Sequence, residues 1–255
     1  MAKYPLISVI TPTYNRSKYH KQLYECFNSQ TYPKKELLIL DDSEEPSEFF
    51  TQLKDDRVSY THTPSRLALG EKRNELLKKA KGDIIAHFDD DDLYAPQYLR
   101  FMAKNLGADY ALITLASWFI YDKQHKTFFY WDTTYLSPLH FIVQAKHPTK
   151  TIKGIEELPE SFASDTKWGY GFSYVYYRSI YPNIAFEPQD TFKEDLHFVR
   201  KIQKAGLACR SILDLEGLAI HVIHTSQTSR VFPQFILPPF ILEKHFPNLF
   251  KVQST

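Results

Sequence analysis

Within the first ninety residues, short apolar runs alternate with helix-patterned segments, and this alternation constrains the fold more than anything else in the chain. Leu6 to Ile10 (LISVI), Glu36 to Leu40 (ELLIL), Arg57 to Thr61 (RVSYT) and Ile84 to Phe88 (IIAHF) read as strands. A helix opening at Ser17 as its cap runs to about Gln30 and stops at Thr31-Tyr32-Pro33. A second covers Leu69 to Ala80, with Leu69, Leu76, Leu77 and Ala80 near one face. Strands separated by helices cannot pair as hairpins. They pair in parallel through right-handed crossovers, which predicts an α/β fold with a mixed, mainly parallel central sheet flanked by helices.

The fourth run ends in four aspartates, Asp89 to Asp92, followed by Leu93, Tyr94, Ala95 and Pro96. Four adjacent carboxylates repel one another, and a solvated acidic turn is the plainest explanation. The apolar run before them is of the kind covered on both faces, so the aspartates fall at the carboxyl end of a buried strand. Open α/β sheets bind ligands there. If the backbone stays extended, Asp89 and Asp91 share one side. A divalent cation would relieve the repulsion, and hard oxygen ligands suit Mg²⁺ or Mn²⁺.

Other features exclude some functions. The 255 residues carry a formal net charge of +1, which gives no electrostatic case for nucleic acid as a partner. No G-x-G-x-x-G follows the first strand and no G-x-x-x-x-G-K-[ST] occurs, so the usual phosphate cradles are missing. Cys26 and Cys209 lie in apolar contexts outside any CxxC motif, and buried free thiols are expected. The start lacks the pattern of a signal peptide, and no apolar run reaches the roughly 20 residues of a transmembrane segment. A soluble, cytoplasmic chain is expected, with a peripheral membrane contact left open for the apolar, proline-broken stretch VFPQFILPPFILEKHFPNLF.

Further on, a helix should run from Pro96 to about Leu106. Tyr110 to Tyr121 reads as one or two strands, with Lys126 to Trp131 as an antiparallel partner. Ser137 to Gly171 is irregular, and Lys146 to Lys153 (KHPTKTIK) reads as a solvated loop. Tyr174 to Tyr177 and Leu218 to Val222 are strands. Phe192 to Ala205 is an amphipathic helix with Leu196, Val199, Ile202 and Ala205 inward and Gly206 as its stop. Glycines in Trp168-Gly169-Tyr170-Gly171 would permit close approach of a ligand.

In this order, ISVITPTYNRS, ELLILDDSEE, GEKRNELLKKAKGDIIAHFDDDDLYAP, FEPQDTFKEDLHFVRKIQKAG and HVIHTSQTSR resemble the family 2 glycosyltransferases of the GT-A fold, over Ile7 to Arg230. The resemblance implies a metal-dependent, inverting transfer of a sugar from a nucleotide-sugar donor, a UDP-sugar by the base contacts, to a hydroxyl acceptor such as a carbohydrate. Pro12 and Tyr14 would lie against the base, and Asp42 would accept a hydrogen bond from it. Arg73 would approach the base or phosphates. Asp90 or Asp89 would hold the ribose, and Asp91 the metal, with His224 as a second ligand. Asp195 would be the catalytic base, with Glu194 as its neighbour and substitute. The domain implied is a single GT-A catalytic domain over 1–255: a donor and metal half (1–100), an acceptor half with the base (101–230) and a wrapping tail (231–255). Two further readings remain. A haloacid-dehalogenase-type phosphohydrolase would use the D-x-D at Asp89 and Asp91, and a non-catalytic module would bind nucleotide-sugar without turnover.

Overall fold

The computed structural model describes residues 4–153, 161–225 and 230–246. The chain divides into two compact units, one of Met1–Thr114 with Trp168–Ser211, the other of Leu115–Lys167 with Ile212–Thr255.

The first unit is built on a seven-stranded sheet. Its first elements are β1 (Ile7–Thr13), α1 (Ser17–Ser29), β2 (Lys35–Asp41), α2 (Glu48–Gln52), β3 (Val58–His62), α3 (Leu69–Lys79), β4 (Ile84–His87) and, past a two-residue bridge, α4 (Tyr98–Leu106). The strand order is Cys209–Ile212, Leu112–Leu115, Val175–Tyr177, β4, β1, β2, β3. β4, β1, β2 and β3 run parallel, as the alternation predicts, and Val175–Tyr177 is antiparallel to β4 and to Leu112–Leu115. Register then fixes what meets at the strand ends. Thr13 stands opposite Asp41, and Ile10 opposite His87. The Thr11 hydroxyl donates to the Phe88 carbonyl at 2.8 Å and holds the chain leaving β4 beside β1. β4 pairs with β1 only as far as Ile10, so the missing N–H of Pro12 falls past the end of that ladder.

One face of the sheet is closed by Leu76, Leu77 and Ala80 of α3 and by Leu196, Phe198, Val199 and Ile202 of the helix Glu194–Lys204. They pack with Ile10, Leu38, Leu40, Ile85, Tyr174 and Tyr176, and Phe186 stacks on Phe198 at 4.0 Å. This apolar contact, not helix propensity, keeps the 11-residue helix in place.

Several local expectations change. Ser17 is the first helical residue of α1, and Arg16 holds the cap position with no side-chain cap bond. Ala205 is exposed, because the helix ends at Lys204 and Gly206 turns away at φ +76°. Cys209 is half-buried rather than buried, in an edge strand whose apolar signal is short.

In the second unit, Ser117–Asp122 and Thr127–Asp132 form the expected hairpin, in a register that sets Trp118 opposite Trp131. Ala219–Ile223 lies parallel to the first of these strands and Phe235–Leu237 antiparallel to the second. The region expected to be irregular holds two antiparallel strands, Leu139–Gln144 and Lys150–Lys153, and a helix, Phe162–Trp168. Thus half of KHPTKTIK is strand. Its buried apolar residue is Ile152, one such side chain in a stretch otherwise read as solvated. Among the described residues no helix is long and apolar enough to cross a membrane. The Thr-Ser of HVIHTSQTSR and the end of the tail lie outside the described residues.

Candidate active site

The carboxyl ends of β1, β2 and β4 carry Tyr14, Asp42 and the aspartates, all in the first unit. The two carboxylates of Asp41-Asp42 part company. Asp41 accepts from the Ser43 backbone N–H at 3.0 Å and from Tyr60 Oη at 2.7 Å, and serves the loop. Asp42, only 2% exposed, accepts from Lys72 Nζ on Oδ1 at 2.7 Å. Its Oδ2 accepts from Arg66 Nη1 at 2.6 Å and from the Leu67 N–H at 2.9 Å. Burial opposes ionisation of Asp42, but Lys72, the Leu67 N–H and Arg66 outweigh it and hold its carboxyl below the usual range. Lys78 and Lys79 of the same helix are exposed, as a charged helix face usually is, but Lys72 is not. Instead it is buried, on the same face as Leu76 one turn on. The guanidinium of Arg66 lies 3.5 Å from the centre of the Tyr14 ring.

The aspartates do not alternate as they would in an extended strand. The backbone turns at Asp90 and Asp91, where the Asp92 N–H donates to the Asp89 carbonyl at 3.4 Å. Three carboxylates therefore meet three different groups. Asp89 reaches toward Arg73 at 3.9 Å, Asp90 accepts from the Thr13 hydroxyl at 2.5 Å, and Asp91 pairs with Arg16 at 3.1 Å. Burial, with the charge of Asp91 next, raises the pKa of Asp90 well above the usual value. Gln22 donates to the carbonyls of Asp91 and Asp92 at 3.4 and 3.3 Å and fixes the turn.

Arg73 is buried and joins this end of the sheet to the later helix. Its Nε donates to Glu194 Oε1 at 3.2 Å and its Nη1 lies 2.9 Å from His87 Nδ1. His87 Nε2 is 3.1 Å from Tyr176 Oη. Burial and then the charge of Arg73 push the His87 pKa well down, so the imidazole is neutral. Asp195, half-buried in the first turn, accepts from the Gly171 N–H on Oδ2 at 2.7 Å. Burial, with Glu194 second, pushes its pKa up to about 7, against the pull of the Gly171 and Leu196 N–H groups and of Arg73. Gly171 serves this contact. A Cβ there would lie 2.6 Å from Asp195 Cβ, so the close approach expected of the glycine is to the carboxylate. Lys193, just before the helix, is held at φ +62°, a left-handed conformation that costs a residue with a Cβ about 1–2 kcal/mol.

The first unit thus brings Pro12, Tyr14, Asp42, Arg73, Asp89, Asp90, Asp91 and Asp195 into one set of elements. His224 follows the strand Ala219–Ile223 of the second unit and is buried. Sequence reasoning missed Arg16, Arg66, Lys72, His87 and the Arg73–Glu194 pair. His87 and Lys72 had a signal, since each sits in phase with buried neighbours on its own element. Arg66 had none, because it lies in a loop.

Carboxylates at the C-terminal ends of parallel strands define a ligand-binding α/β unit of the open-sheet class. Comparison with known proteins narrows this. The family described as Glycosyl transferase family 2 matches residues 8–177. The putative colanic acid biosynthesis glycosyl transferase WcaA of Escherichia coli (strain K12) is 32% identical over 103 residues, 39% of this chain and 37% of that protein. An uncharacterized glycosyltransferase of Haemophilus influenzae is 37% identical over 110 residues, 40% of this chain and 44% of that protein. Among solved structures, the mannosyltransferase PcManGT from Pyrobaculum calidifontis, in complex with GDP-Man and Mn²⁺, is similar with TM-score 0.58 at 18% identity, covering 87% of this chain and 57% of that one. S. aureus TarS 1-349 in complex with UDP-GlcNAc gives 0.61 at 16% identity, covering 88% and 61%. The chain spans less than half the length of these curated relatives and about three-fifths of the solved chains. The chain belongs to glycosyltransferase family 2 and has the GT-A fold. Family and fold together set aside the phosphohydrolase alternative. The family match ends before Asp195 and His224.

Proposed function

We propose that this chain transfers a sugar from a nucleotide-sugar, a UDP-sugar, to a hydroxyl of a carbohydrate or other acceptor, with inversion and with Mn²⁺ or Mg²⁺. The observation that carries this reading is the set Tyr14–Asp42, Asp89–Asp91 and Asp195, held by elements of one compact unit. The printed ligands of PcManGT and TarS, a GDP-sugar with Mn²⁺ and a UDP-sugar, support the ligand class. In this reading Pro12 and Tyr14 flank the base, Asp42 accepts its N–H, and Asp90 or Asp89 holds the ribose. Residues 1–100 carry donor and metal and 101–230 the acceptor wall and base of one catalytic domain, while the end of the tail 231–255 lies outside the described residues.

The donor set fits a hard cation. Asp91 offers carboxylate oxygens beside Asp90, and hard oxygen donors suit such an ion. Among the described residues no three His, Cys, Asp or Glu side chains converge to hold an ion. Asp91 would therefore share the cation with the diphosphate, as Mg²⁺ is usually held. A bound divalent ion supplies Lewis-acid stabilisation of the leaving diphosphate. Arg73 adds a buried positive charge beside Asp89. Asp195 accepts the proton of the acceptor hydroxyl as its oxygen attacks the anomeric carbon. The bond to the β-phosphate oxygen breaks with its electron pair on the leaving group. Attack opposite the leaving group gives inversion.

Calorimetric titration of UDP with and without Mn²⁺, followed by a screen of donors for UDP release, tests the whole reading. Binding dependent on metal supports it, and no binding in either condition overturns it.

Two narrower tests concern Asp195. The base must be ionised, and a raised pKa means that its ionised fraction falls as pH drops through about 7. kcat/KM should therefore fall about tenfold per pH unit below that point and level off above it. An acid limb centred near pH 4 would mean that the base titrates as an unshifted carboxylate, and persistence of activity in Asp195→Asn would move the base elsewhere. In the second test, Gly171→Ala forces its new methyl against Asp195. Moving the base by about 1 Å should cost on the order of 100-fold in kcat, measured beside donor affinity, which should hold. Unchanged kcat would mean that this contact does not set the base.

A further inference from the structure

Arg66 holds the two partners that the reading above gives to the nucleobase. Its guanidinium covers one face of the Tyr14 ring at 3.5 Å, and its Nη1 donates to Asp42 Oδ2 at 2.6 Å. A guanidinium is planar, stacks on aromatic faces and carries N–H donors along its edge, as a base with a ring N–H does. The two cannot hold these partners together. The covered face of Tyr14 has no room for a second plane, and Asp42 Oδ2 already accepts two hydrogen bonds, from Arg66 and the Leu67 N–H.

We propose that Arg66 is a gate residue of the donor site, occupying the nucleobase position until nucleotide displaces it and thereby setting donor affinity. This rests on the assignment of the base to Tyr14 and Asp42. The Arg66 side chain is 56% exposed although its partner Asp42 is buried, so water can take up the guanidinium as it withdraws. Lys72 and the Leu67 N–H stay on Asp42 when Arg66 leaves, so withdrawal does not strand a buried charge. The closed arrangement is favoured but not locked. Apparent affinity is then the intrinsic affinity reduced by the fraction of molecules with Arg66 withdrawn.

The test is UDP binding, with Mn²⁺ present, to the full chain and to Arg66→Ala and Arg66→Lys. Arg66→Ala should bind about 5- to 30-fold more tightly, as an open fraction of a few to twenty per cent requires. The gain should appear in the association rate, with dissociation unchanged. Arg66→Lys keeps the charge but gives up the planar stack, and it should also gain. Uridine has no phosphate for Arg66 to attract, so its affinity should rise by a similar factor. Equal or weaker binding of UDP or uridine by Arg66→Ala overturns the gate alone. No binding of UDP or GDP by any of the three proteins overturns the donor reading and the gate with it.

Discussion

Asp195→Asn is expected to lose turnover by about 10²- to 10⁴-fold, the usual contribution of a positioned general base, while UDP affinity stays within about twofold. The substitution keeps the size of the side chain and leaves an amide oxygen to accept the Gly171 N–H, which now binds Oδ2 at 2.7 Å. What it removes is the carboxylate charge and the lone pair that takes a proton. Glu194 is the one neighbour that could deputise, but it is buried and its Oε1 is tied to Arg73 Nε at 3.2 Å. Freeing it would leave Arg73 short of a partner inside the protein, at a cost of about 3–5 kcal/mol for a broken buried pair. Stability should change little, because losing the Leu196 N–H bond to Oδ1 at 2.7 Å opposes the relief of charge. Burial and Glu194 both act against the Asp195 charge, and a neutral amide relieves both. A melting temperature held, with turnover lost, would separate the chemical role from a folding defect. Full activity would move the base elsewhere.

Much of this was legible because it depends on short-range pattern. The strands up to Ile84–His87 show as apolar runs and the helices as an apolar face, and both follow from burial against one sheet. Placing Asp42 and the aspartates together needs only that parallel strands share an end. The edge strands were hidden for physical reasons. Lys150–Lys153 and Cys209–Ile212 bury few side chains, so little selects for apolar residues in them. The aspartate register was hidden because a turn at Asp90 and Asp91 breaks the period of two. The charge network was hidden most of all. Whether Lys72 is a solvated lysine or the partner of Asp42 depends on where helix α3 lies against β1 and β2, which spacing alone does not encode. The same holds for Arg73 and Glu194, 121 residues apart in sequence and in contact across the unit.

Asp91→Ala should remove the part of UDP binding that depends on metal, and the increment is the informative quantity. Loss of a direct ligand should cost more than the roughly 10- to 100-fold lost when only a supporting residue is changed, so affinity with Mn²⁺ should fall at least about 100-fold. Affinity without metal should behave differently. Asp91 now pairs with Arg16 at 3.1 Å, and its removal leaves that guanidinium without this carboxylate beside the expected diphosphate site. Arg16 can then attract the phosphates directly, so metal-free binding should persist or strengthen, and weaken as salt is raised, because an exposed ion pair is screened. The affinities with and without Mn²⁺ should thus converge from both sides. A cation that served only to neutralise an acidic turn would give another result. Removing one of four aspartates would then lower the charge and leave the increment reduced in part. An increment unchanged from the parent would place the ion on Asp89 or Asp90 and shift the register of the motif by one or two residues. Convergence places the ion on Asp91, at the turn that follows β4.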